Sequence, residues 1–318
     1  MGKWLAVAGL VIVGSLALLM PVGGNAADGR PTVRVDGLDL SGDAGDPPPA
    51  PVDIAFLHHS VGTQLLASPG PEQGDRNQPT THPNGGGLRA LLAREGYRLH
   101  AATYGSVLGE RTDLFDWLPK FRERMDDVLA IANQDARLDG GSRNQVVIFK
   151  SCFPNSNFIG AGAPPGNPAG PELTVANARA TMMALRSEFS KYPAVLFVYV
   201  TAPPQAPVTW TDPLWKRLVK LALGRTTHTE ELRQSGEFAR QFNNWVKDPA
   251  GWLAGYSRRN IVVFDLFDTL TGHGASNLSR YATGDGFDSH PSAEGNRLVA
   301  GEFVPFLNRA VRYAGVVQ

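Results

Sequence analysis

One cysteine, Cys152, stands among 318 residues. A lone thiol closes no intramolecular disulfide, so the fold must be held by its buried core and not by covalent staples. Charge of one sign is not in excess either, because thirty Lys and Arg balance thirty Asp and Glu. That balance leaves no electrostatic footprint of the kind that binding to nucleic acid or an anionic membrane normally produces. Closely spaced metal motifs and internal repeats are missing, and beyond the N-terminus nothing reads as a transmembrane segment. The partner expected from these absences is a small molecule or a neutral polymer, with no nucleic acid and no stable membrane insertion.

What is present is ordinary for a globular protein with a sizeable core: 42% of the residues are hydrophobic and 19% charged. At the N-terminus, Lys3 precedes a charge-free run from Trp4 to Met20, followed by Pro21, Gly23-Gly24 and the small residues Asn25-Ala26-Ala27. This pattern predicts an export signal over residues 1–26 that is cleaved, which places the mature protein outside the cell or in the periplasm. An uncleaved anchor is the alternative, since the apolar run is close to the shortest that spans a bilayer, roughly 17 residues. Residues 27–51 are rich in Gly, Asp and Pro and end in Asp46-Pro47-Pro48-Pro49-Ala50-Pro51, a linker composition.

From residue 52 onward apolar strand candidates alternate with amphipathic helices. The strands are expected at 54–57, 98–104, 145–150, 194–201 and 260–264, the helices at 87–95, 114–133, 175–191, 235–247 and 293–314. Such alternation predicts an α/β fold: a single three-layer α/β/α domain over 52–318, doubly wound around a mostly parallel sheet of about five strands. Three long Pro- and Gly-rich loops, 68–86, 157–171 and 203–233, are expected to rim one crevice. The third carries Trp210, Leu214, Trp215, Leu218, Val219 and Leu221 among Lys216, Arg217 and Lys220. That spacing predicts a helix packed on the domain, with a lid or a membrane-surface contact as the alternative.

Two short segments at opposite ends of the domain carry chemistry. His58-His59-Ser60-Val61-Gly62 follows the first strand, and Asp288-Ser289-His290-Pro291 precedes the last helix. A serine hydroxyl is a poor nucleophile at neutral pH and needs an imidazole to take its proton and a third group to orient that imidazole. Ser60, His290 and Asp288 are those residue types. Ser60 also stands at a strand's carboxyl end, where open α/β sheets bind ligands. The bland alternatives are a helix-capping serine and turn-forming aspartate and histidine.

In order and content these segments resemble the SGNH, or GDSL-like, hydrolase superfamily, across most of residues 52–318. His58-His59 replaces the usual Gly-Asp before the serine, so the chain is a divergent relative. The resemblance implies a flavodoxin-like fold and a serine-dependent ester hydrolase acting through an acyl-enzyme, without a cofactor or metal. It assigns Ser60 as nucleophile, His290 as base and Asp288 as orienter, although family spacing puts the aspartate three residues before the histidine, where Phe287 stands; Asp285 is the substitute. It also implies an oxyanion hole made by the backbone amides of Ser60 and of Gly109, in Ser106-Val107-Leu108-Gly109, and by the side-chain amide of Asn155, after the third strand, with Gly105 and Asn157 as alternatives.

The substrate class implied is an extracytoplasmic O-acyl ester, such as an O-acetylated glycan or a lipid-like ester. An O-acyltransferase on the same fold would use the same acyl-serine. Two other classes compete: a metal-dependent hydrolase using His58, His59, Asp288 and His290, and a non-catalytic glycan-binding protein. His58 and His59 are otherwise expected in the core or behind the serine, and Cys152 is expected to be buried.

Overall fold

The computed structural model describes residues 34–208 and 213–317. The segment read as an export signal and Trp210 lie outside the described residues. Five strands, β1 (Val52–Leu57), β2 (Tyr97–Ala102), β3 (Val146–Lys150), β4 (Leu196–Val200) and β5 (Ile261–Phe264), make one sheet in the order β2-β1-β3-β4-β5. Every pairing in it is parallel. The chain therefore winds outward from β1 in both directions, and its order reverses between β1 and β3.

Successive side chains on a strand point to opposite faces, and both faces here are apolar. Ala55, Leu57, Val147, Phe149, Phe197 and Tyr199 pack with Trp117, Phe121, Met182, Phe189 and Phe242. These partners come from α3 (Trp117–Ala130), α4 (Val175–Phe189) and α6 (His228–Lys247). Ile54, Phe56, Val146, Ile148 and Val198 face the other way, against Leu65, Leu92, Leu266, Val299 and Phe303. That layer consists of α1 (Ser60–Leu66), α2 (Leu88–Arg94), α7 (Leu266–Leu270) and α8 (Ala293–Tyr313). Each large apolar side chain so buried contributes about 1.5–3 kcal/mol relative to exposure. The three-layer α/β/α architecture is the one expected from the alternation of strands and helices.

Some boundaries differ from expectation for local reasons. α6 starts at His228, seven residues before Ser235, because Thr227 caps it: the Thr227 hydroxyl accepts from the Glu230 amide at 3.3 Å. Within the third loop, α5 (Leu214–Ala222) forms, but Leu214, Trp215, Leu218 and Val219 are exposed and not packed on the domain. The first loop is not irregular. It folds into a small sheet of three short strands, Ser68–Pro69, Gln73–Asp75 and Gln78–His82.

Residues 34–51 lie along the domain without regular structure. Arg34 donates to Asp268 at 2.9 Å, Leu40 is buried, and Asn308 on α8 donates to the Gly45 carbonyl at 2.9 Å. Among the described residues no helix is long and apolar enough to cross a membrane.

The turn from β1 into α1 requires one glycine. A Cβ placed on Gly62 would lie 2.5 Å from Cβ and Cγ of His58, whose ring is sealed beneath the turn. Alanine normally favours a helix over glycine by about 1 kcal/mol, but overpacking a tight site costs about 1–3 kcal/mol. The second effect wins, so Gly62→Ala is expected to lower stability by about 1–2 kcal/mol in urea unfolding; a stabilised variant would contradict the packing described.

Candidate active site

Ser60 is the first residue of α1, with two residues between it and the end of β1, so its side chain emerges at the carboxyl edge of the sheet beside the β1/β3 reversal. His290 reaches the same point from a two-stranded hairpin, Ala282–Thr283 with Asp288–Pro291, just before α8. The Ser60 hydroxyl donates to His290 Nε2 at 2.9 Å, and His290 Nδ1–H donates to Asp288 Oδ1 at 2.7 Å. The His290 backbone amide donates to the same oxygen at 3.0 Å. Three residues joined in this order form a proton-transfer chain between positions 230 apart in sequence.

Several contacts hold the imidazole still. The Thr283 hydroxyl donates to the His290 carbonyl at 3.1 Å, and the Phe153 ring meets the His290 ring edge-on at 5.1 Å. Between Asp288 and His290, Ser289 is buried and accepts from the Ala206 amide at 2.9 Å, fastening the hairpin to the loop after β4. Desolvation works against the charge on Asp288, but the hydrogen bonds from His290 outweigh it and hold the carboxyl below its ordinary value. Asp288 is therefore the ionised partner that an orienting role needs. Asp285, the alternative, is exposed and sits in the left-handed region at φ 54°, in the turn ahead of Asp288.

The expected oxyanion donors are placed differently. Gly109's amide donates to Ser106 Oγ at 3.0 Å, and a Cβ there would lie 2.1 Å from the Thr103 carbonyl oxygen. Gly109 is thus a close-approach glycine whose N–H is already used. Asn155 is equally committed: Oδ1 accepts from the Leu114 amide at 2.7 Å, while Nδ2 donates to Asp113 at 2.7 Å and to the Cys152 carbonyl at 3.4 Å. It ties the loop before α3 to the turn after β3. Of the substitutes, the Gly105 amide donates to Glu110 at 2.8 Å, and Asn157 Oδ1 accepts from Ser235 on α6 at 3.2 Å. The Gly109 N–H and the Asn155 amide protons are thus engaged within the protein in this structure.

The two histidines before Ser60 serve the turn. His58 is sealed, with Nδ1–H donating to the His59 carbonyl at 3.0 Å and Nε2 without a partner. His59 donates from Nε2 to the Gly109 carbonyl at 2.8 Å and stacks on Tyr104 with ring centroids 4.0 Å apart. Neither ring converges with His290 and Asp288, and among the described residues no group of three or more metal-ligating side chains gathers. Cys152 is buried, 3.7 Å from Ser60 Oγ, with the wholly buried Lys150 ammonium 3.9 Å behind it. Sequence patterning marked neither Tyr104 nor Lys150, because each reads only as part of a strand or its exit.

Ser60 opens into a cleft of about 780 Å³ lined also by Gln64, Glu72, Asp75, Arg76, Asn77, His82 and Tyr104. The small sheet built by the first loop forms one wall, as expected of a rim. A smaller cleft of about 370 Å³ lies behind it, between α1 and α2, and shares Thr63, Asn77 and Pro79. Only the larger contains the serine.

No protein-family model and no curated protein sequence matches the chain. Solved structures similar to it include a protein from Bacteroides fragilis described as an acylhydrolase, with 12% identity over 82% of this chain and 91% of that one, at a TM-score of 0.38. A family two carbohydrate esterase from Clostridium thermocellum, in complex with cellohexaose, shares 14% identity over 84% of this chain and 66% of its own, TM-score 0.38. An acetyl xylan esterase from Butyrivibrio proteoclasticus shares 11% over 84% and 65%, TM-score 0.38. Likeness this distant says nothing about chemistry, which has to come from the chain's own site.

The sealed imidazole gives the turn a pH signature. Burial pushes His58 down to about 3, while in the unfolded chain it returns to about 6.5. The unfolded state then binds the extra proton between those values, so His58's contribution is complete above pH ~6.5 and is lost as pH falls toward 3. Replacing it by a non-titrating residue, His58→Asn, is expected to flatten the loss of stability between pH 6.5 and 4 by up to about 1.4 kcal/mol per pH unit. Urea midpoints measured across that range check this; parallel pH profiles for the two proteins would show His58 exposed.

Proposed function

We propose that this protein is a serine-dependent ester hydrolase of the SGNH kind, acting through an acyl-serine on an extracytoplasmic O-acyl ester with a polar alcohol part. The observation that carries the proposal is the unbroken chain Ser60–His290–Asp288, at 2.9 and 2.7 Å. Ser60 Oγ attacks the ester carbonyl as His290 Nε2 takes its proton. The tetrahedral intermediate then expels the alcohol, to which His290 returns that proton, leaving an acyl-Ser60. Water, deprotonated by the same imidazole, attacks the acyl carbon and releases the acid and the free serine. Asp288 holds the Nδ1–H tautomer and balances the imidazolium that forms in each half.

The cleft favours a polar substrate. Its walls carry Gln64, Glu72, Asp75, Arg76, Asn77 and His82, side chains suited to hydrogen-bonding hydroxyl groups and poorly suited to covering an acyl chain. Of the two ester types expected, the O-acetylated glycan is the better fit. Release by export, if residues 1–26 act as a signal, would put the enzyme where such glycans are found.

A serine-directed fluorophosphonate is expected to label Ser60, with labelling lost in His290→Ala. Ser60→Ala and His290→Ala should each lower kcat on p-nitrophenyl acetate by at least about 10⁴-fold, and Asp288→Asn by about 10²- to 10⁴-fold. Across p-nitrophenyl esters from two to twelve carbons the shortest acyl groups should be preferred. Esterase activity that survives both Ser60→Ala and His290→Ala would defeat the mechanism.

A further inference from the structure

An acyl transfer needs donors aimed at the carbonyl oxygen as it becomes negative, and the two side groups expected to supply them, Gly109 N–H and Asn155 Nδ2, are spent on Ser106 and Asp113. Another donor stands at the right place. Tyr104 lines the same cleft as the serine, with the side chain and backbone amide of Ser60 close enough to act on its hydroxyl. The hydroxyl thus lies beside the Ser60 amide, within the cleft that a substrate carbonyl must enter to reach Ser60. Its position is set from behind: the phenol ring stacks on His59 at 4.0 Å, and His59 is itself tied to the Gly109 carbonyl at 2.8 Å. Burial pushes the phenol up from its ordinary value, so it keeps its proton at neutral pH and remains a donor.

We propose that the Tyr104 hydroxyl, together with the Ser60 backbone amide, forms the oxyanion hole of this enzyme. The inference rests on the ester hydrolase reading. As the Oγ–carbon bond forms, the carbonyl π electrons move onto oxygen, and Tyr104 donates a hydrogen bond to that oxygen without giving up the proton. The electrons return when the bond to the alcohol breaks, and His290 supplies the alcohol's proton. Tyr104 itself ends each cycle unchanged. The stacked His59 is a positioning residue: neutral, held low by burial, and engaged through Nε2 with a carbonyl, it aims the phenol and takes no proton.

Tyr104→Phe removes one oxygen and keeps the stack. On p-nitrophenyl acetate it is expected to lower kcat by about 10²- to 10³-fold with KM changed less than about threefold, the signature of a contact made only in the transition state. End-point labelling by the fluorophosphonate should still reach one Ser60 per chain, and the thermal midpoint should stay unchanged, which shows that the serine site and the fold are intact. Full kcat in a variant that labels normally would overturn the proposal while leaving the esterase reading in place. A rise in kcat would overturn it too, since the hydroxyl would then be blocking the carbonyl's place. A wild-type protein that neither hydrolyses esters nor labels at Ser60 would overturn both.

Discussion

β1 hydrogen-bonds to β2 on one side and to β3 on the other, in register from Val52 to Leu57 against Tyr97 to Ala102 and from Ile54 against Val146. Because all these strands are parallel, each must be followed by a connection that leaves the sheet at the same edge, and the connections after β1 and β3 go to opposite faces. A crevice at that edge follows from the pairing itself. Ser60 stands in it because only His58 and His59 separate the strand from the helix. His290 stands in it because α8 packs beside α1 on the same face, through Val299 and Phe303 against the strands that Leu65 also covers. Disturbing the pairing of β1 would separate the serine from its base without touching either residue.

The histidine pair is where the turn departs from the pattern that the chain otherwise resembles, and the departure has a physical reading. Glycine before a nucleophile lets the backbone turn tightly. Here the turn is filled instead, His58 occupying the space over Gly62 and His59 reaching across to the loop after β2. Two consecutive imidazoles on an extended stretch point to opposite sides, so one locks the turn to its own helix and the other locks it to Gly109 and Tyr104. Within that same loop the chain folds back so that Thr103 lies against Gly109 and Ser106 takes the glycine's amide.

How much of this is legible in the sequence follows the same physics. Strands such as Val146–Lys150, buried on both faces, announce themselves as apolar runs, and parallel order follows from their alternation with helices. Ser60, His290 and Asp288 were legible as residue types at the right ends of the right elements. Asp288 meets His290 from two residues before it, not three, because the hairpin backbone curls so that the amide and the ring of His290 both reach Oδ1; local sequence does not encode that curl visibly. The oxyanion donors were illegible for a different reason. Whether an amide can serve depends on whether Ser106, Glu110, Asp113 or Leu114 has already claimed its partner, a long-range accounting that motif spacing does not contain. Tyr104 was hidden because a tyrosine at a strand's exit has many ordinary uses.

Exposure finally shapes what the site can do. Asp288's carboxylate is 51% exposed and His290's ring 22%, and the cleft before Ser60 is broad and polar. Water reaching these groups raises the local dielectric and weakens each charge-stabilising contact several-fold relative to a closed site. Among the described residues the cleft beside the serine is lined mainly by polar side chains, which do not prevent this. A substrate that itself covers the cleft would displace that water, strengthening the Asp288–His290 contact and the donors on the oxyanion at the moment the charge develops. Part of the binding energy of a large polar alcohol group is then expressed in the transition state and not in the ground-state complex. Under the proposed ester hydrolysis, an open, hydrogen-bonding cleft would by that logic select for the size and polarity of the alcohol more than for the acyl group.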